Sequence, residues 1–327
     1  MPFFACDDPH IRYTGRFAPY NQSMAATATG SRFSFAFTGR MAMLQFDMSL
    51  LQAPVPHLYI RVDGGARVEV PMDRYLRVCA DTDGRHVVEV MLKSMVEMFP
   101  RWNRPLTNRL GFEGVEAEAL TDLPRPRKKQ KTIEFVGDSI TEGVLIDPDR
   151  RQHANDIYDR PTQDDVTATY AWLLAEKLEL TPLMMGYGAV GATKGGCGGV
   201  PKVAEAYPYC FAGAPVTYQH PDYVFINHGT NDWGADSVTF TAGYVALLDA
   251  IITAHPRAQV IAMSPFNGAH EQDIEKLVAE YNERHGKSIL FVNGSHWLSP
   301  EPVHPLRDGH RLAADKLCEV LKEKLGL

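Results

Sequence analysis

Two hydrophobic periods divide the chain. Over residues 1–122 apolar positions alternate in short runs: Phe33, Phe35 and Phe37 with Ser34, Ala36 and Thr38 between them, then Met41 and Met43 leading to Phe46 and Met48. The runs 58–62 and 66–70 flank Asp63-Gly64-Gly65, a hairpin signal because these residues accept the positive φ of a tight turn. Residues 86–92 (His-Val-Val-Glu-Val-Met-Leu) continue the series. A period of two marks strands with one buried face, and short strands broken by turns predict an antiparallel β-sandwich of jelly-roll-like form.

Beyond residue 132 strand and helix patterns alternate. An apolar strand from Ile133 is followed by helical spacing over 168–180, where Trp172, Leu173 and Leu178 carry the apolar face, and another apolar strand over Phe225-Ile226-Asn227 follows. A helix over 240–254, a strand over 259–263, a helix over 274–283, a strand over 289–292 and a last helix over 311–325 complete the series. Such alternation predicts a parallel sheet covered on both faces, a flavodoxin-like three-layer α/β/α unit, so the fold class is α/β with a preceding sandwich. Residues 121–131 are rich in proline and basic side chains (Pro124, Arg125, Pro126, Arg127, Lys128, Lys129, Lys131) and read as a solvated linker. The expected division is a sandwich over 1–122, a linker over 123–131 and the α/β unit over 132–327.

Composition narrows the function classes. Of 327 residues 45% are hydrophobic and 22% charged, as a packed globular chain requires, and the net charge of −7 argues against nucleic acid or an anionic membrane as the main partner. No apolar run is read as reaching the ~18 residues of a membrane span. The start lacks a basic segment followed by an apolar core, and the five cysteines fit neither a zinc spacing nor a disulfide framework, so a cytoplasmic protein is expected. There is no phosphate loop or metal-ligand cluster, and neither a metal nor another cofactor is expected.

The candidate chemistry begins where the run Ile133-Glu134-Phe135-Val136 ends in Gly137-Asp138-Ser139 with a helix start behind it. A serine at the carboxyl end of a parallel strand can have its developing oxyanion met by backbone N–H groups. The competing reading makes Ser139 and Glu142 only a capping box. A glycine-rich turn over 186–193 follows, then Gly229-Thr230-Asn231-Asp232 after an apolar strand, then Glu301-Pro302-Val303-His304-Pro305. In this order the blocks resemble the SGNH (GDSL-type) hydrolases over about residues 132–325. That resemblance implies Ser139 as nucleophile and His304 as general base, with an oxyanion hole of the Ser139 N–H, the Gly191 N–H and the Asn231 side-chain amide. The family usually places aspartate three residues before the histidine, and here that position is Glu301, expected to orient His304 unless a backbone carbonyl does. Asp138 and Asp232 are expected to cap the turns around them.

A sandwich before such a domain is similar to carbohydrate esterase family two, the acetylxylan-esterase-like enzymes, with Gly30-Ser31-Arg32-Phe33 and Thr169-Tyr170-Ala171-Trp172 as further matching segments. This implies removal of O-acetyl groups from xylo- or manno-oligosaccharides through an acetyl-serine intermediate, without cofactors. Trp233 and Trp297 would stack on sugar rings, or else pack their loops. Tyr187 and His228 are read as packing beside the oxyanion donors, His310 as a cap or surface residue, Cys197 as a small loop residue or a reactive thiol, and His153 as lining an entrance. A short-chain esterase, lysophospholipase or thioesterase of the same fold is the first alternative, and a non-catalytic carbohydrate-binding protein the second. The intact Ser139, Gly191, Asn231 and His304 argue against the latter. An exposed strand edge would also allow a homo-oligomer.

Overall fold

The computed structural model describes residues 1–124, 130–147, 160–299 and 301–327, so most of the basic linker and His153 lie outside the described residues. Residues 3–121 build two six-stranded antiparallel sheets. One runs in the order Ala18–Tyr20, Ser23–Ala26, Leu110–Glu116, Met41–Phe46, Tyr75–Cys79, with Phe3–Ala5 also paired to Leu110–Glu116. The other runs Ala119–Thr121, Arg32–Thr38, Arg85–Ser94, His57–Val62, Val68–Pro71, with Arg12–Thr14 paired to Arg32–Thr38. Their facing sides share one core of Phe33, Phe35, Phe37, Leu44, Phe46, Val88, Val90 and Phe112. The Phe33 and Phe112 rings, one from each sheet, stack with centroids 3.9 Å apart. The expected hairpin is present, with Ile60 opposite Val68 and positive φ at Asp63 and Gly64.

The strand Met41–Phe46 corrects the sequence reading. Its buried set is Ala42, Leu44 and Phe46, with Met41 and Met43 only half-buried. Phe46 fixes the phase, because side chains alternate strictly and a one-residue slip would turn it to solvent.

The parallel sheet has five strands in the order Thr181–Gly186, Thr132–Gly137, Tyr223–Asn227, Gln259–Met263, Leu290–Val292. Ile133 and Phe135 enter the core beneath the helices Tyr170–Lys177 and Arg307–Leu325, with Leu174, Leu317 and Leu321. Val136 faces the opposite core, formed with Phe240, Tyr244, Leu247 and Ile251 of the helix Ser237–Ala254. That second core also takes in Ala18, Tyr20, Trp102 and Leu106, so the sandwich and the α/β layers share one apolar contact. Against the expectation from sequence, Ser237–Ala254 is 18 residues long and apolar enough by length and composition to cross a membrane. In this fold Phe240, Tyr244, Leu247, Leu248 and Ile251 face the core.

A buried ion pair adds a polar tie at this contact. Arg16 Nη2 lies 3.1 Å from Glu134 Oε1 on the strand Thr132–Gly137, Tyr207 Oη donates to Glu134 Oε2 at 2.6 Å, and Arg16 Nη1 donates to the Tyr207 carbonyl at 2.7 Å. Burial opposes ionisation of Glu134, but Arg16, His255 and Tyr207 outweigh it and hold the carboxyl down at about 2. A carboxylate depressed in the fold stabilises fully above its unfolded value and loses that contribution as pH falls through the folded one. Glu134 should therefore contribute on the order of 3 kcal/mol at neutral pH, lost between about 4.5 and 2. Urea unfolding of the wild type and of Glu134→Gln should show a wide stability gap at pH 6 that narrows steadily below pH 4.5. A gap independent of pH would contradict this.

Candidate active site

The strand order creates the site. From Thr132–Gly137 the chain crosses to the edge strand Thr181–Gly186, then returns past the first strand to Tyr223–Asn227. Loops leaving the carboxyl ends therefore part in opposite directions above Thr132–Gly137, where open α/β sheets hold ligands. Ser139 lies two residues beyond that strand, at the first position of the short helix Ser139–Glu142. Asp138 is the N-cap, its Oδ1 accepting from the Ile140 N–H at 3.0 Å. The capping-box alternative is thereby removed, because the Glu142 side chain points elsewhere: its Oε2 accepts from the Gly188 N–H at 2.7 Å.

Ser139 is 7% exposed, and its Oγ lies 2.9 Å from His304 Nε2 although the two residues are 165 positions apart. At that separation the imidazole can take the hydroxyl proton as oxygen attacks a carbonyl carbon, and later return it to a leaving alcohol.

Two expected oxyanion donors are engaged in the resting site. Asn231 Nδ2 lies 3.1 Å from the Val190 carbonyl and 3.3 Å from Asp138 Oδ2. The Gly191 N–H donates to the Lys194 carbonyl at 3.0 Å, so serving an oxyanion requires it to be shared or released. The Ser139 N–H, a first-turn amide, has no intrahelical acceptor. Asp232 knits two of the blocks together, accepting from the Ala192 N–H at 3.0 Å and the Thr193 N–H at 2.9 Å. A Cβ at Gly191 would fall 2.5 Å from Asp232 Oδ1, which explains glycine there. Burial pushes the Asp138 carboxyl up to about 7.

The remaining candidates divide. Glu301 is not brought to His304: its side chain is exposed, and among the described residues no hydrogen bond or ion pair joins the two. The loop sends the carboxylate outward, so the orienting role expected for Glu301 is not supported. Trp297 is half-buried against the core that contains Leu317 and Leu321, with Lys316 Nζ 5.7 Å from its ring centre. It lines a groove of about 400 Å³ with Leu298, Pro305 and Leu312, and neither Ser139 nor His304 is among the described lining residues. Its packing alternative therefore holds. Trp233, two positions after Asn231, is 79% exposed.

His228 and Tyr187 are buried, as expected for packing residues, and burial pushes the His228 imidazole down to about 4, leaving it neutral. His310 is neither on the surface nor a cap of its own helix: it is fully buried, and its Nδ1 accepts the Tyr170 N–H at 3.0 Å. Burial and the neighbouring Glu97 push the Cys197 thiol up, away from a reactive thiolate. Missed from sequence was Arg101, whose guanidinium grips both oxygens of Glu142 from the sandwich side. It lies 41 positions upstream in an irregular loop, and no local pattern marks it.

Residues 135–312 match the GDSL-like Lipase/Acylhydrolase family, more than half of the chain, with Ser139, Gly191, Asn231 and His304 all inside the match. The chain belongs to this family. As a GDSL-like acylhydrolase it is 27% identical over 237 residues to the cellulase/esterase CelE of Acetivibrio thermocellus, covering 66% of this chain but 28% of that protein. It is 22% identical over 345 residues to an acetylxylan esterase / glucomannan deacetylase of Cellvibrio japonicus, covering 98% of this chain and 90% of the relative. Its fold matches a family two carbohydrate esterase from Clostridium thermocellum in complex with cellohexaose, with a TM-score of 0.75 and 21% identity over 97% of this chain and 99% of that one. The likeness extends through the sandwich as well as the GDSL-like layers.

Proposed function

We propose that the protein is a serine esterase that removes O-acetyl groups from carbohydrates. The observation that carries this is the 2.9 Å contact of His304 Nε2 with Ser139 Oγ at the carboxyl edge of the parallel sheet. In the proposed cycle Ser139 attacks the acetyl carbonyl while His304 takes its proton. The Ser139 N–H, the Asn231 amide and the Gly191 N–H, once freed from Lys194, stabilise the tetrahedral oxyanion. His304 then protonates the departing sugar oxygen. Water, deprotonated by His304, hydrolyses the acetyl-serine by the same steps.

The carbohydrate assignment draws support from the relatives and from the exposed ring of Trp233, two positions after Asn231 in the chain, a flat apolar surface suited to a pyranose face. Residues 1–122 act in this proposal as an accessory sandwich and 132–327 as the hydrolase unit. Rates on p-nitrophenyl esters from acetyl to octanoyl test the acyl preference: the proposal predicts a steep fall with chain length, whereas rates that hold or rise would favour a lipid or thioester substrate.

Trp233→Ala should raise KM for acetylated xylo-oligosaccharides about fivefold to tenfold, the worth of one ring contact, and leave KM for p-nitrophenyl acetate within twofold. Equal effects on both substrates would remove Trp233 from the sugar site.

A further inference from the structure

The helix that presents Ser139 and the loop that presents Gly191 are joined through a side chain belonging to neither. Arg101 lies between the sandwich strands Arg85–Ser94 and Leu110–Glu116, yet it is fully buried against the α/β layers. Its two terminal nitrogens bind the two oxygens of Glu142, the second pair at 3.0 Å. Glu142 is three residues past the nucleophile on the same short helix. Its Oε2 also accepts from the Gly188 N–H at 2.7 Å, and Gly188 is three residues before Gly191. One carboxylate thus ties nucleophile helix, oxyanion loop and sandwich loop together.

The surroundings leave this bridge little freedom. Arg101 Cζ sits 5.1 Å from the centre of the buried Tyr187 ring, one residue before Gly188. The Arg101 and Trp102 N–H groups donate to the Gly198 carbonyl at 3.0 and 3.2 Å, and the Cys197 N–H donates to the Gly188 carbonyl at 2.8 Å. A Cβ on Gly188 would fall 1.8 Å from Oε2 of Glu97, whose Oε1 accepts from Arg160 Nη2 at 3.0 Å. Burial works against the Arg101 charge, but Glu142 outweighs it and holds the guanidinium above its ordinary range.

We propose that Arg101, supplied by the sandwich, is a positioning residue for ester hydrolysis: through Glu142 and the Gly188 N–H it sets the distance between Ser139 and the oxyanion loop. This rests on the esterase reading above, and it gives the sandwich a part in turnover. Lysine keeps the charge but cannot grip both carboxylate oxygens at once, so it is a demanding substitution here.

The test compares wild type, Arg101→Lys, Glu142→Gln and the double variant on p-nitrophenyl acetate, with folding followed by circular dichroism and rates taken below each melting temperature. Wild-type inactivity on this ester would refute the esterase reading itself. Given wild-type turnover, the proposal expects kcat to fall about 100-fold in each single variant with KM within twofold, as an ångström-scale misplacement costs. The double variant should be no worse than the worse single, because both cut one chain of contacts. If Arg101→Lys does not fold, Glu142→Gln carries the comparison alone. Lower melting temperatures with kcat within threefold of wild type, or failure of both single variants to fold, would make the bridge a folding element only and overturn the proposal.

Discussion

Ser139→Ala is expected to abolish turnover of p-nitrophenyl acetate, with kcat falling on the order of a million-fold and KM nearly unchanged. The size follows from what is removed. The hydroxyl that meets the proton-abstracting nitrogen is lost, since Ser139 Oγ lies 2.9 Å from His304 Nε2. Once the nucleophile is gone, the imidazole can assist only water, and residual rate comes from oxyanion donors and substrate binding. His304→Ala should lose nearly as much, and combining the two should add little, because they act as one unit. Circular dichroism and melting temperature should hardly move for Ser139→Ala, since an alanine leaves the Asp138 cap on the Ile140 N–H intact. Retention of more than a hundredth of the wild-type rate would place the nucleophile elsewhere.

Asn231→Ala is expected to lower kcat about 100- to 1000-fold, or roughly 3–4 kcal/mol of transition-state stabilisation, with KM for a small ester little affected. The amide is held in place between the Val190 carbonyl and Asp138, so little ordering is needed, but one of its two hydrogens must be shared or released when charge develops on the substrate. Asn231→Asp should be at least as damaging, because it sets a carboxylate against the Asp138 carboxyl and offers the oxyanion an acceptor instead of a donor. Steady-state kinetics on p-nitrophenyl acetate decide this. A fall in kcat/KM carried by KM alone would mean that Asn231 binds substrate in its ground state rather than stabilising the oxyanion.

Three of the four candidate blocks were legible because each follows an apolar strand or precedes a helix, while the glycine-rich turn over 186–193 was read from its composition and its place in the order of blocks. The strand Thr181–Gly186 was harder to see. Its Pro182 breaks the pattern of a central strand, and the structure places it at the sheet edge, where a missing N–H is tolerated. Helix starts also lay earlier than the apolar spacing suggested: Ser237–Ala254 begins at its Asp236 cap, which accepts the Thr239 N–H at 2.9 Å, three residues before Phe240. Glu142 shows where spacing misleads. Three residues after a serine, it fits a capping box by count, but a carboxylate will leave a helix terminus for a buried guanidinium that binds both its oxygens. That partner comes from a loop whose sequence, Phe99-Pro100-Arg101-Trp102-Asn103, carries no local sign of its destination. Glu301 failed for the converse reason: position in a motif says nothing about which way a loop turns its side chain.

Acetate release from acetylated xylo-oligosaccharides by the purified protein, with Ser139→Ala as control, decides whether this site deacetylates sugars. The wild type should release acetate rapidly, Ser139→Ala none above background, and added metal ions should bring no benefit. Little or no acetate from the sugar, alongside brisk hydrolysis of long-chain p-nitrophenyl esters, would contradict this.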